Sequence, residues 1–136
     1  MQTNAYLNFD GTCEEAFRFY EKTFGARIEA MGTFGDSPAA AQVPDEWRRK
    51  IIHAWLTVGD TVLMASDAPP ERYEQPKGIW ISLSVDTPAE AERIFAALGE
   101  NGTVRMPMEQ TFFARRFGMA VDRFGIPWMV ICQNVP

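Results

Sequence analysis

The single histidine, His53, has the widest chemical reach of any residue in this chain. An imidazole titrates at about 6.5, so it can take or give a proton near neutrality or bind a metal through a ring nitrogen. It lies in the run Ile51-Ile52-His53-Ala54-Trp55-Leu56-Thr57-Val58, whose alternation predicts a strand. Ile52, Ala54, Leu56 and Val58 make the apolar face of that strand, and His53, Trp55 and Thr57 share the other. Two roles suit His53: an acid–base group aimed into a cavity, or a hydrogen-bonded structural histidine. No cysteine or carboxylate stands at a local spacing that would mark a nucleophile–base pair. Glu29, Asp67, Glu109 and Arg116 complete the polar candidates, and the sequence leaves open whether they converge.

The aromatic residues form the second group of interest. Tyr6, Trp55, Trp80, Phe112 and Phe113 are candidates to line a cavity for a planar or apolar small molecule, or to pack a core or a subunit interface. The two cysteines, Cys13 and Cys132, are far apart and match no metal or redox spacing, so they read as buried thiols of a reducing, cytoplasmic setting.

Composition sets the outer limits. At 136 residues, with 46% hydrophobic and 23% charged side chains, the chain is long enough for one well-packed domain. Its net charge of -5 and scattered basic residues give it no electrostatic grip on nucleic acid or an anionic membrane. The nearest basic cluster, Arg48-Arg49-Lys50, follows Asp45-Glu46 and reads as a solvated turn. No run approaches the roughly 20 apolar residues that a membrane helix needs, and no secretory leader pattern is visible.

The elements that must position these residues come in two similar sets. Thr12-Cys13-Glu14-Glu15 and Thr87-Pro88-Ala89-Glu90 both have the form of a helix-starting capping box. Apolar stripes follow at helical spacing, Ala16, Phe19, Tyr20 and Phe24 in one and Ala91, Ile94, Phe95 and Leu98 in the other. Gly25 and Gly99 are the expected ends. A strand precedes each helix, at residues 6–9 and 79–85, with Leu7 and Phe9, and Ile81, Leu83 and Val85, expected under the helix. Asn4, Tyr6 and Asn8, and Trp80, Ser82 and Ser84, then face the opposite side. Three strands follow each helix, at about 26–34, 51–58 and 61–67, and at about 102–109, 113–121 and 126–132. Each half therefore reads βαβββ, with module 1 at about 1–67, a linker at about 68–78 and module 2 at about 79–136. The alternative is a ferredoxin-like sandwich, against which the extra strand in each half argues. An insertion at about 35–50 distinguishes the first half and has the character of a lid, an interface arm or a mobile tip.

Taken in order, several short motifs resemble the PhnB-like branch of the vicinal-oxygen-chelate (glyoxalase/bleomycin resistance protein/dioxygenase) superfamily. They are Tyr6-Leu7-Asn8-Phe9-Asp10-Gly11, Glu14-Glu15-Ala16, Phe24-Gly25, His53-Ala54, Val58-Gly59-Asp60 and Met64-Ala65-Ser66-Asp67 in the first half. The second half adds Met106-Pro107-Met108, Thr111-Phe112-Phe113, Arg116-Phe117-Gly118-Met119 and Asp122 through Trp128. The resemblance covers nearly the whole chain. It implies an α+β fold in which two βαβββ modules curl mixed sheets around a cup-shaped cavity. It also implies a homodimer and either metal-dependent isomerase, lyase or dioxygenase chemistry or simple sequestration of a drug. A methyltransferase activity has no support, since no glycine-rich loop follows a strand.

Placing the metal-ligand positions of that family on this chain gives Asn4 (Ala5 if shifted by one), Leu63, Trp80 and Met129. An aliphatic side chain and an indole cannot ligate a divalent ion, and a thioether is a poor ligand for Mg, Mn, Ni or Zn. The expectation is thus a protein with no metal or other cofactor, binding a small molecule through Tyr6, Asn8, His53, Trp55, Trp80, Phe112, Phe113 and Arg116. The competing expectation is a glyoxalase-like lyase, isomerase or dioxygenase in which His53 is the catalytic base or part of a relocated metal site.

Overall fold

The computed structural model describes residues 1–133. The chain forms two compact units, one spanning Met1–Glu74 and the other beginning at Gln75. In the first unit, β1 (Ala5–Phe9) leads into α1 (Cys13–Phe24), followed by β2 (Arg27–Thr33), β3 (Ile51–Val58) and β4 (Thr61–Asp67). In the second, β5 (Ile81–Ser84) leads into α2 (Pro88–Gly99), followed by β6 (Thr103–Glu109), β7 (Arg116–Val121) and β8 (Pro127–Cys132). The sheet orders are β1-β4-β3-β2 and β5-β8-β7-β6. In both, the first strand runs parallel to the last, and the remaining pairs are antiparallel. Two copies of one βαβββ topology are therefore present, and a ferredoxin-like arrangement is not.

Each helix covers one face of its own sheet, α1 over β2, β3 and β4 and α2 over β6, β7 and β8. Beneath α1 the core contains Phe9, Phe17, Tyr20, Ala54, Leu56 and Ala65, all fully buried. Beneath α2 it contains Leu98, Ala120, Trp128, Val130 and Cys132. Removing a large side chain of this kind from water stabilises the fold by roughly 1.5–3 kcal/mol.

Three local details depart from the sequence reading. First, the Thr12 box does not close: Thr12 makes no side-chain cap. The start of α1 is held instead by buried Asp67 at the end of β4, whose Oδ1 accepts from the Cys13 N–H at 2.9 Å. In α2 the Thr87 cap does operate, its Oγ1 accepting from the Glu90 N–H at 3.1 Å. Second, Gly25 takes the left-handed conformation expected after α1 (φ 67°), but Gly99 stays within α2 and the left-handed residue is Asn101 (φ 59°). Asparagine tolerates that region better than most residues. Third, a bulge at Ile52 breaks the parity of β3: Gly32 pairs with His53, whereas Thr33 pairs with Ile51. Ile51 is consequently the buried residue and Ile52 is moved to the other side.

The insertion is tied down at its neck. The Phe34 N–H donates to the Lys50 carbonyl at 2.9 Å and the Gly35 N–H to the Arg48 carbonyl at 2.8 Å. Two short 3₁₀ turns, Ala40–Gln42 and Asp45–Trp47, fold it back so that Phe34 and Trp47 meet edge to face at 5.8 Å. Among the described residues no helix is long and apolar enough to cross a membrane.

Candidate functional site

The face of the first sheet turned away from α1 carries the best-developed cluster. Strand register aligns Tyr6 on β1 with Met64 on β4 and Met64 with Trp55 on β3. His53 lies beside this row, its ring 6.1 Å from that of Tyr6 and 5.7 Å from that of Trp55. Tyr6 and Trp55 are 47% and 43% exposed, a large apolar area left open on a sheet whose opposite face is fully packed. Asn8 and Ser66 continue the face, with the Ser66 hydroxyl 3.4 Å from Asn8 Oδ1. Four of the residues singled out from the sequence, Tyr6, Asn8, His53 and Trp55, thus share one surface because β1, β4 and β3 are neighbours and the side-chain period is two.

Of the carboxylates that could serve His53, neither Glu29 nor Asp67 is available. Glu29 accepts from Arg27 Nε at 2.7 Å and from Thr57 Oγ1 at 3.1 Å, and these hydrogen bonds hold its carboxyl below the usual range. Asp67 is buried on the α1 side, where Oδ1 serves the Cys13 N–H and Oδ2 the Ile51 N–H at 2.8 Å. Burial pushes its pKa up, and the backbone donors only partly offset this. Cys13 is no nucleophile either, because burial and the nearby Asp67 charge drive its thiol pKa strongly upward.

In the second unit, the sheet face turned away from α2 is dominated by thioethers. Met106, Met119 and Met129 align across β6, β7 and β8, and Ser82 extends the row on β5. The remaining sequence candidates are dispersed. Trp80 precedes β5 and is half-buried. Phe112 and Phe113 lie in the turn before β7 rather than in the strand, with Phe112 93% exposed and Phe113 stacked edge-on against Phe117 at 5.1 Å. Arg116 donates through Nε to Glu92 of α2 at 2.9 Å, which draws it to the helix-covered side. Glu109 stands exposed at the end of β6.

The residues that the resemblance would place at metal-ligand positions do not fit a divalent ion. Asn4 spends its Nδ2 on the Val62 carbonyl at 3.4 Å. Leu63 faces α1 and is 7% exposed, so it is not on the open face at all; Val62 and Met64 flank it there. Met129 lies on the open face of the second sheet, but among thioethers and a hydroxyl. Among the described residues no three His, Cys, Asp or Glu side chains gather where they could hold a metal ion.

A region that the sequence did not single out adjoins the first cluster. A groove of about 280 Å³ is lined by Asn8, Ile52, Ser66, Asp67 and Ala68 together with Phe34, Pro69 and Arg72. The last three also line a neighbouring groove of about 190 Å³ that reaches Val43, Pro44 and Trp47. The sequence marked Asn8 and Asp67 as candidates, 35–50 as an insertion and 68–78 as a linker, but did not bring the two loops together.

Comparison with known proteins agrees with this architecture. The family described as the Glyoxalase/Bleomycin resistance protein/Dioxygenase superfamily matches residues 4–130. Protein YjdN of Escherichia coli (strain K12) is 33% identical over 141 residues, covering 96% of this chain and 94% of that protein. The crystal structure of protein PA1353 from Pseudomonas aeruginosa superposes with a TM-score of 0.89 at 52% identity, covering 98% of each chain. A Bacillus cereus PhnB protein described as a putative 3-demethylubiquinone-9 3-methyltransferase shares the fold, with a TM-score of 0.83 at 22% identity and coverage of 97% and 99%.

Proposed function

Because the chain belongs to the glyoxalase/bleomycin resistance protein/dioxygenase superfamily, we propose that it is a metal-independent binding protein for a small aromatic or amphipathic molecule. The observation that carries this reading is the half-exposed Tyr6–His53–Trp55 cluster on an otherwise well-ordered sheet. Large rigid rings with a polar edge bind planar ligands at small entropic cost. The imidazole and the Asn8 and Ser66 side chains supply the few directional contacts that orient such a ligand.

Catalysis by His53 is the weaker reading. A general base is usually oriented by a partner that accepts from its second nitrogen. The acidic candidates Glu29 and Asp67 are engaged elsewhere. A methyltransferase reading finds no support in two mixed sheets without a glycine-rich nucleotide loop.

The protein is further proposed to act as a cytoplasmic homodimer, without nucleic-acid or membrane partners. The two free buried thiols suit a reducing compartment. The exposed apolar side chains Val104, Met106, Phe112 and Phe113 on the second unit suit a subunit interface.

A titration with 2-naphthol, followed by the indole N–H signals of ¹⁵N-labelled protein, tests the binding reading. The Trp55 signal is expected to move, and Trp55→Ala and Tyr6→Ala each to weaken binding by about tenfold, the scale of losing one aromatic contact. Binding that ignores both substitutions contradicts the assignment.

A further inference from the structure

We infer that the groove beside the aromatic cluster, floored by Asn8 and Ser66 and walled by Phe34 and Trp47, selects ligands that carry a carboxylate, with Arg72 as its anchor. This rests on the small-molecule reading above and adds the class of ligand to it. Arg72 lines both parts of the groove. Among the described residues its guanidinium is paired with no acidic side chain. An unpaired arginine over a concavity presents a planar fork of donors that matches a carboxylate.

The surroundings favour an anion with an apolar body. Two carboxylates line the groove: Asp67, beside Asn8 and Ser66, has both oxygens occupied by the Cys13 and Ile51 N–H groups, and the exposed Glu71 borders only the part near Trp47. Lys50 lies close enough to Asp67 to act on its charge, and donates through Nζ to the Gly11 carbonyl at 2.8 Å. Asn8 Nδ2 can donate to a second ligand oxygen, its amide oriented by the Ser66 hydroxyl, which donates to Asn8 Oδ1 at 3.4 Å. The edge-to-face Phe34–Trp47 pair, with Pro44 and Pro69, forms the apolar side.

The frame is also well fixed. The Ala68 N–H donates to the Phe9 carbonyl at 2.8 Å, and the Arg72 and Tyr73 N–H groups both donate to the Pro69 carbonyl, at 2.8 and 2.9 Å. The turn that carries Arg72 is therefore positioned by the end of β1 and stiffened by Pro69-Pro70. The volume of each part suits a small acid rather than a macromolecule.

The test compares 2-naphthoate with neutral 2-naphthamide on the full-length protein, reading the Trp47 and Trp55 indole N–H and Arg72 Nε–H signals. The expected result is that naphthoate shifts Trp47 and Arg72 and binds about tenfold more tightly than the amide. Arg72→Gln, an exposed change that leaves the core untouched, is expected to weaken naphthoate binding by about tenfold and so to abolish that preference. Equal binding of acid and amide at Trp55, with Trp47 and Arg72 unmoved, overturns the carboxylate assignment and leaves the aromatic-site reading standing. Failure of both probes to move any of these signals overturns the two together.

Discussion

Asp67 shows how one side chain can replace a motif. It terminates β4, yet its oxygens reach the first N–H of α1 and the first N–H of β3, tying three elements together at a buried point. Asparagine at this position has one acceptor oxygen instead of two and would turn an N–H group toward a backbone donor. Asp67→Asn is therefore expected to destabilise the protein by about 1–3 kcal/mol in urea denaturation, the usual cost of an unsatisfied buried donor. The sign of the pH effect is also set. Burial raises the folded pKa of Asp67 above the ordinary aspartate value, so the native state holds this proton more tightly than the unfolded chain. The contribution of Asp67 then declines as pH rises from the ordinary value through the raised one. Relative to Asp67→Asn, the parent protein should show that decline in denaturation midpoints measured across mildly acidic pH.

At the scale of elements, the two modules solve the same problem with different parts. α2 begins with a working Thr87 cap, whereas α1 borrows a carboxylate from across the sheet. The position, type and order of nearly every helix and strand could be read from periodicity, because β1, β4, β5 and β8 alternate and each helix carries an apolar stripe. What escaped the sequence was non-local. The bulge at Ile52 depends on how β2 pairs with β3, so the burial of Ile51 could not be inferred from β3 alone. Trp80 and Phe113 fell just outside β5 and β7, where alternation continues past the last ladder hydrogen bond. Leu63, a ligand position carried over from the resemblance, falls on the buried face of β4, between Val62 and Met64 on the other.

The second module contains a close approach of backbone to backbone at Gly102. A Cβ on Gly102 would overlap the Val121 carbonyl and sit 3.1 Å from Asp122 backbone atoms, which cannot swing away as a side-chain tip can. Gly102→Ala is expected to cost about 1–3 kcal/mol through backbone displacement. A fall in thermal midpoint of several degrees would register this, and an unchanged midpoint would show that β6 and β7 shift at little cost.

For the molecule as a whole, the repeat explains both the fold and the site. Curling the same βαβββ topology twice gives two sheets, each packed on one face and open on the other. Evolution of a repeat lets the two open faces diverge, here into an aromatic–imidazole surface on one module and a thioether-rich one on the other. Of the candidate site, the Tyr6, Asn8, His53 and Trp55 group was legible because it depends on strand parity. The groove at Phe34, Trp47 and Arg72 was not, because it is assembled from two loops separated by two strands. The central claim is that this surface binds an organic ligand without a metal. Native mass spectrometry of the purified protein, with elemental analysis of the same sample, tests it most directly. A dimer mass carrying no stoichiometric Zn, Ni, Fe or Mn is the predicted result, with any adduct being organic. One such ion per chain, lost on His53→Ala, would contradict the account.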